Sequence, residues 1–194
     1  FEEKRLTYEY VLPMAKSDAA SKTGGSDTGV VVLNPSAQTA AVVVAGYTRN
    51  GREAGTYEAT LAMDERIVMT PSQMGMENCA SVTVRSLNQV PIAVFALDNN
   101  PEQRGADFFS GIGAYRGIAE FSSAVVFNNF EKDINGQTVF YIVNVTDEFT
   151  RYIFANWKDE NGDVVKLETI PGVPGRGQFK IKMPTMEIPE GAVS

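Results

Sequence analysis

Histidine is missing from all 194 positions. That removes the commonest general base, the Ser/His/Asp triad and every imidazole metal site, so most hydrolytic chemistry loses its usual residues. Cysteine occurs once, at Cys79, which excludes an internal disulfide and a thiolate zinc site. Its setting, "MENCAS", is that of a small packed residue at a strand entrance rather than of a reactive thiol. Positive charge is in deficit: 17 Lys and Arg against 24 Asp and Glu give a formal net charge of −7, with no basic stripe to reverse it locally. A phosphate backbone would be repelled, and nucleic acid is not an expected partner. Long apolar runs are missing as well. The strongest, residues 40–45, falls far short of the ~20 residues a membrane helix requires. Helical periodicity is scarce; residues 106–121, "ADFFSGIGAYRGIAEF", come nearest, and their three glycines argue for irregular structure.

What is present is enough to fold. An apolar fraction of 43% with 10% aromatics offsets ordering entropy, and 194 residues favour two modest domains over one large core. Period-two patterning begins at residues 6–12, where Leu6, Tyr8, Tyr10 and Leu12 alternate with Thr7, Glu9 and Val11. A polar Gly/Ser-rich loop follows at residues 16–28. Further β-like runs lie at residues 30–33, 40–47, 56–61, 66–69, 81–84 and 92–97. Seven short strands separated by turn residues predict an antiparallel sandwich.

The pattern then recurs. Residues 28–53 and 138–164 share one grammar: an apolar run ending in Asn, a polar turn, a second apolar run with an aromatic near its end, then Asn-Gly. Asn34 to Gly51 spans 17 positions and Asn144 to Gly162 spans 18. The match extends outward, "YEYVLPMAK" against "AVVFNNFEK" and "RIVMTPSQMGMENCAS" against "QFKIKMPTMEIPEGAVS", with Pro71 opposite Pro184. A period of ~110 residues indicates tandem domains rather than a solenoid or propeller. The expected plan is a first sandwich over residues 1–98, an irregular connector over 99–123 and a second sandwich over 124–194. The second copy reaches only the position opposite Ser81, so it is expected to lack its last two strands and to expose core side chains such as Tyr141, Phe154, Trp157 and Phe179.

The stretch "VVVLNPSAQTAAVVVAGYTRNGREAGTYEATLAMDERIVMTP" followed by "SVTVRSLNQVPIAVFAL" resembles the tandem immunoglobulin-like or fibronectin-like β-sandwich repeats of bacterial and archaeal secreted and cell-surface proteins. The likeness covers most of residues 6–98 and, more loosely, 124–194; Val145 stands where the first copy has Pro35. The resemblance implies a stalk, fibre, surface-layer or adhesion role and supplies no catalytic residue.

Several residues invite chemical readings. Asp159, Asn161 and Asp163 alternate as oxygen ligands of calcium would, and Asp133 and Asn135 do likewise. The simpler reading of Asn161-Gly162 is a hairpin tip solvated by acids. Asn144-Val145-Thr146 is a formal N-glycosylation acceptor, whereas Asn34-Pro35-Ser36 is blocked by its proline. Tyr141, Tyr152, Phe154 and Trp157 suit either a sugar platform or core packing. The segment "GIGAYRG" lacks the spacing of a phosphate loop and reads as connector. Arg151, Lys158, Lys166, Lys180 and Lys182 make the second copy less acidic than the first.

The expected function is therefore structural and non-enzymatic, with no cofactor beyond the calcium alternative. Copies of the chain would assemble into a filament, sheath or surface layer through sheet edges at Leu6, Tyr8 and Tyr10 and at Phe179, Ile181 and Met183. The alternatives are a monomeric module that binds a glycan or cell-surface ligand, and an accessory domain of a larger secreted protein. The resemblance implies an extracellular or cell-surface location; the first residue is Phe1, so an export signal could already have been removed, and trimming would look the same.

Overall fold

A computed structural model describes residues 7–13, 15, 28–99, 112–116 and 139–182. Every regular element among them is a strand: β1 (Glu9–Leu12), β2 (Thr28–Leu33), β3 (Ala40–Tyr47), β4 (Glu53–Leu61), β5 (Arg66–Met69), β6 (Ser81–Ser86), β7 (Ala93–Asn99), β8 (Ile112–Arg116), β9 (Val139–Val143), β10 (Thr150–Lys158), β11 (Val164–Val173) and β12 (Gln178–Lys182). The protein is all-β, and all pairings are antiparallel. Among the described residues, no helix is long and apolar enough to cross a membrane. The chain divides into two compact units, Phe1–Glu120 and Phe121–Ser194.

In the first unit the β-branched runs do what alternation requires. Val30 and Val32 of β2 and Ala40, Val42 and Val44 of β3 turn inward, while the residues between them stay partly exposed. Two four-stranded sheets result, ordered β1-β6-β3-β4 and β5-β2-β7-β8. Their inner rows, Tyr10, Leu12, Val42, Val44, Val82 and Val84 on one side and Val30, Val32, Ile67, Val94 and Ala96 on the other, form one hydrophobic core. Each fully buried Val or Leu contributes about 1.5–3 kcal/mol, and Met74, Met76, Cys79, Val90 and Ile92 close the ends.

The strand order departs from the immunoglobulin plan. There the first strand lies beside the second, and the last lies in the opposite sheet. Here β1 lies on β6 and β7 lies on β2, so the end strands have exchanged sheets. Residues 99–123 also differ from the expected irregular connector, because Ile112–Arg116 adds to the sheet as β8, from Phe95↔Arg116 to Asn99↔Ile112. Glycines that disfavour a helix do not prevent a ladder, which needs only backbone groups and the open edge of β7. At the other end the expected strand over residues 6–12 shortens to Glu9–Leu12. Thr7 forms an isolated bridge with Ile92, and Tyr8 bends away, 45% exposed.

The second unit repeats four strands of the first. β9 pairs with β12 as β2 pairs with β5, and β10 pairs with β11 as β3 pairs with β4. Among its described residues, no strand takes the places that β6 and β7 hold beside β3 and β2. Trp157 is buried, Tyr141 and Phe179 are partly buried, and Phe154 is 60% exposed.

Candidate functional site

The repeat is anchored by one device used twice. Asn34 and Asn144 each end a strand, and each folds its amide over the turn that follows. The Asn34 Oδ1 accepts from Ser36 N at 2.9 Å, and its Nδ2 donates to Gln38 O, Leu61 O and Ala62 O at 2.8, 2.9 and 3.1 Å. The Asn144 Oδ1 accepts from Thr146 N at 3.0 Å and from Thr146 Oγ1 at 2.8 Å, and its Nδ2 donates to Glu148 O at 2.6 Å and Val173 O at 3.2 Å. Next to each clamp a non-glycine residue adopts positive φ, 58° at Asp64 and 57° at Arg176. The Asn-X-Ser/Thr pattern at both places is thus explained by turn chemistry. In the folded unit Asn144 is 8% exposed and its Nδ2 donates to two backbone carbonyls.

The Asp159 tip is a hairpin. Asp159 Oδ1 accepts from Asn161 N at 2.9 Å and from Asp163 N at 3.0 Å, while Gly162, at φ 86°, closes back on Asp159 O. The first copy makes the same turn with Thr48, whose hydroxyl accepts from Arg52 N at 3.2 Å, and with Gly51 at φ 80°. A threonine replacing the aspartate in an equivalent turn shows that the carboxylate serves the backbone. No group of three or more acidic, cysteine or histidine side chains able to hold a metal occurs among the described residues. Asp133 and Asn135, like the loops at residues 16–27 and 100–111, lie outside the described residues.

Of the six expected edge contacts, Leu6 and Met183 lie outside the described residues, and Ile181 is placed by its backbone alone, opposite Phe140 on β9. Tyr8 is exposed, as an edge contact needs. Tyr10 is not: it is fully buried, and its hydroxyl donates to Ile92 O at 2.9 Å. The phenol links the β1 sheet to the start of β7, so Tyr10 is a core residue and only the backbone of β1 borders the sheet edge. Cys79 is likewise internal. Its Sγ donates to Ser81 O at 3.1 Å, and burial pushes its thiol up to about 11.

The largest departure from ordinary packing lies on the β10–β11 ribbon. In the first unit the inward pairs of the equivalent ribbon are Ala40↔Leu61, Val42↔Ala59 and Val44↔Tyr57. Their counterparts are Thr150↔Val173, Tyr152↔Pro171 and Phe154↔Thr169, followed by Asn156↔Leu167. Val42 and Val44 are each 1% exposed, whereas Tyr152 is 68%, Phe154 60% and Leu167 61% exposed. Only Val173, beside the Asn144 clamp, remains buried on this row. The rings of Tyr152 and Phe154 stack with centroids 6.3 Å apart and planes 17° apart, extending the apolar surface along the strand. The opposite face of the ribbon is more buried. There Trp157 and Ile170 are buried, and Trp157 Nε1 donates to Glu168 Oε2 at 3.0 Å while Lys166 Nζ meets Glu168 Oε1 at 2.6 Å. Hydrogen bonding from Lys166, then from Trp157, outweighs desolvation and holds the Glu168 carboxyl below the usual carboxylate range.

The sequence matches no family model and no curated protein. Among solved structures, the crystal structure of Thermotoga maritima 1070 is similar at a TM-score of 0.46 and 13% identity, over 60% of this chain and 97% of that one. The Anabaena sensory rhodopsin transducer is similar at a TM-score of 0.34 and 15% identity, over 46% of this chain and 93% of that one. Likeness at this level transfers no activity or partner to the chain.

Proposed function

We propose that this chain is a non-enzymatic, extracellular structural subunit that assembles with other copies of itself through β-sheet edges. The observation that carries the reading is the second unit. It repeats β2–β5 of the first with the same pairings and the same asparagine clamp, yet the row that should enter its core is exposed at Tyr152, Phe154 and Leu167. Each described strand of that unit has a single strand neighbour, so backbone edges and an apolar face accompany one another. Strands from a neighbouring copy would satisfy both, giving hydrogen bonds along the edge and side-chain burial behind it. The lack of histidine in the sequence, the buried Cys79 and the backbone duty of Asp159 support the non-enzymatic reading.

The test is assembly state, read by size-exclusion light scattering with negative-stain imaging. Ordered polymers of the 21.1 kDa chain are expected, and Tyr8→Pro or Ile181→Pro should shorten or abolish them, because proline removes a backbone donor and resists central pairing. Unimpaired polymers from both variants would sink the edge mechanism. One observation favours a second reading: the exposed, stacked Tyr152 and Phe154 rings would suit the face of a sugar. Glycan binding by a chain that stays monomeric, lost on Tyr152→Ala, would move the binding-module reading to the front.

A further inference from the structure

We propose that the exposed β10–β11 face is a homotypic docking surface, covered in solution by the same face of a second copy of this chain related by a two-fold axis. The proposal rests on the reading of the chain as self-associating, and adds to the edge contacts a sheet-on-sheet contact at named residues. Three observations choose the occupant. The first is the repeat: the matching row of the first unit, Val42 and Val44, shares its core with Val30, Val32 and Val94 of the opposed sheet, so this row fits another β-sheet. A copy of the same ribbon is a β-sheet with its apolar side open.

The second is charge. Tyr152, Phe154, Asn156, Leu167, Thr169 and Pro171 occupy the face, and none is ionised, although the whole chain carries −7. Two like-charged copies can therefore meet here without placing charge against charge, while Arg151, Lys158, Lys166 and Glu168 belong to the other side or the rim. The third is area. With Tyr152, Phe154 and Leu167 exposed at 60–68%, and large side chains offering about 150–250 Å² each, the row presents roughly 300–450 Å² per copy. A pair then buries roughly 600–900 Å², the size of a weak contact that forms and parts with concentration rather than of a permanent dimer. An isologous pairing uses the patch twice and closes after two copies, leaving the edges of both free to extend.

The experiment is light scattering of the intact chain across the micromolar range, beside the double variant Phe154→Asp with Leu167→Asp. Both positions are exposed within one copy, so the variant is expected to keep its far-ultraviolet dichroism and Trp157 emission. Wild type should rise with concentration to twice the 21.1 kDa chain mass or even multiples of it, and the variant should lose the two-fold step. A wild type fixed at one chain mass, or a variant that pairs like wild type, overturns the proposal. If the variant fails to fold, Leu167→Cys decides. Mild oxidation should trap a covalent pair, with wild type as the silent control because Cys79 is 5% exposed; no covalent pair overturns the proposal. The two readings separate cleanly. Polymers that persist in the double variant retain the edge mechanism and remove the face contact, whereas pairs that never grow further retain the face and remove the polymer.

Discussion

At the scale of single residues, the side chains that matter most are those that serve the backbone. Asn34 is fully buried and offers its amide to three carbonyls, so Asn34→Asp exchanges a donor for an acceptor and places a charge where no water reaches. The expected loss is about 2–4 kcal/mol, read as a lower urea midpoint, since each buried carbonyl left unpaired costs about 1–3 kcal/mol. Asn144→Asp should act in the same direction on the second unit, and an unchanged midpoint there would show that the two clamps are not equivalent. Glu168 supplies a pH response. Its carboxyl is held low in the folded chain by Lys166 and Trp157. The contribution is therefore complete above the ordinary glutamate value, about 4.3, and disappears as pH falls through the lower folded value. Both partners are partly exposed, at 36% and 23%, so the stability involved stays under about 1 kcal/mol. The sensitive readout is the single tryptophan: Trp157 emission should shift on acidification with a midpoint below that of a free glutamate, and Glu168→Gln should flatten that shift. A midpoint at or above the free value would contradict the assigned geometry.

At the scale of elements, legibility follows how local the determining contacts are. β2, β3 and β5 were readable because β-branched runs alternate between Asn, Pro and Gly punctuation, and the structure places Thr28–Leu33, Ala40–Tyr47 and Arg66–Met69 within two residues of the patterned runs. The two Asn-Gly hairpins were readable for the same reason, with Gly51 and Gly162 at positive φ. β8 was not readable. Nothing inside "IGAYR" demands a strand; what makes it one is the edge of β7, whose paired residues lie 13 to 21 positions upstream in the sequence. Tyr10 shows the opposite limit. Alternation placed it correctly on the apolar row of β1, but an apolar row can face a core or a neighbour, and only the long-range bond from its hydroxyl to Ile92 O decides for the core. The tripeptide at Asn144 suits two chemistries, a turn clamp and a formal N-glycosylation acceptor, and the fold displays the first. A comparison of the copies held the clue, since the first copy keeps the asparagine where proline already forbids glycosylation. The open β10–β11 face was half legible. The repeat said which residues should be internal, while their exposure depends on what lies across from them.

At the scale of the whole molecule, two units with different degrees of closure should not unfold together. The first surrounds a core drawn from both of its sheets, with Cys79 inside. The second leaves Tyr152, Phe154 and Leu167 of its inner row exposed, and smaller bodies bury a smaller share of their surface. Each unit carries its own reporter, Cys79 for the first and Trp157 for the second. In urea, Trp157 emission should change at lower denaturant than Cys79 becomes labelled by a thiol reagent, because a thiol raised to about 11 and buried reacts only once its unit opens. Coincident midpoints would mean that the chain unfolds as one cooperative body. Self-association adds a second signature, since binding that favours the folded state makes stability depend on concentration. The Trp157 midpoint should therefore rise with protein concentration while the Cys79 midpoint stays fixed, and the rise should vanish in the Phe154→Asp, Leu167→Asp variant. A concentration effect on Cys79 instead would place the dominant contact between copies on the first unit, at its β1 edge.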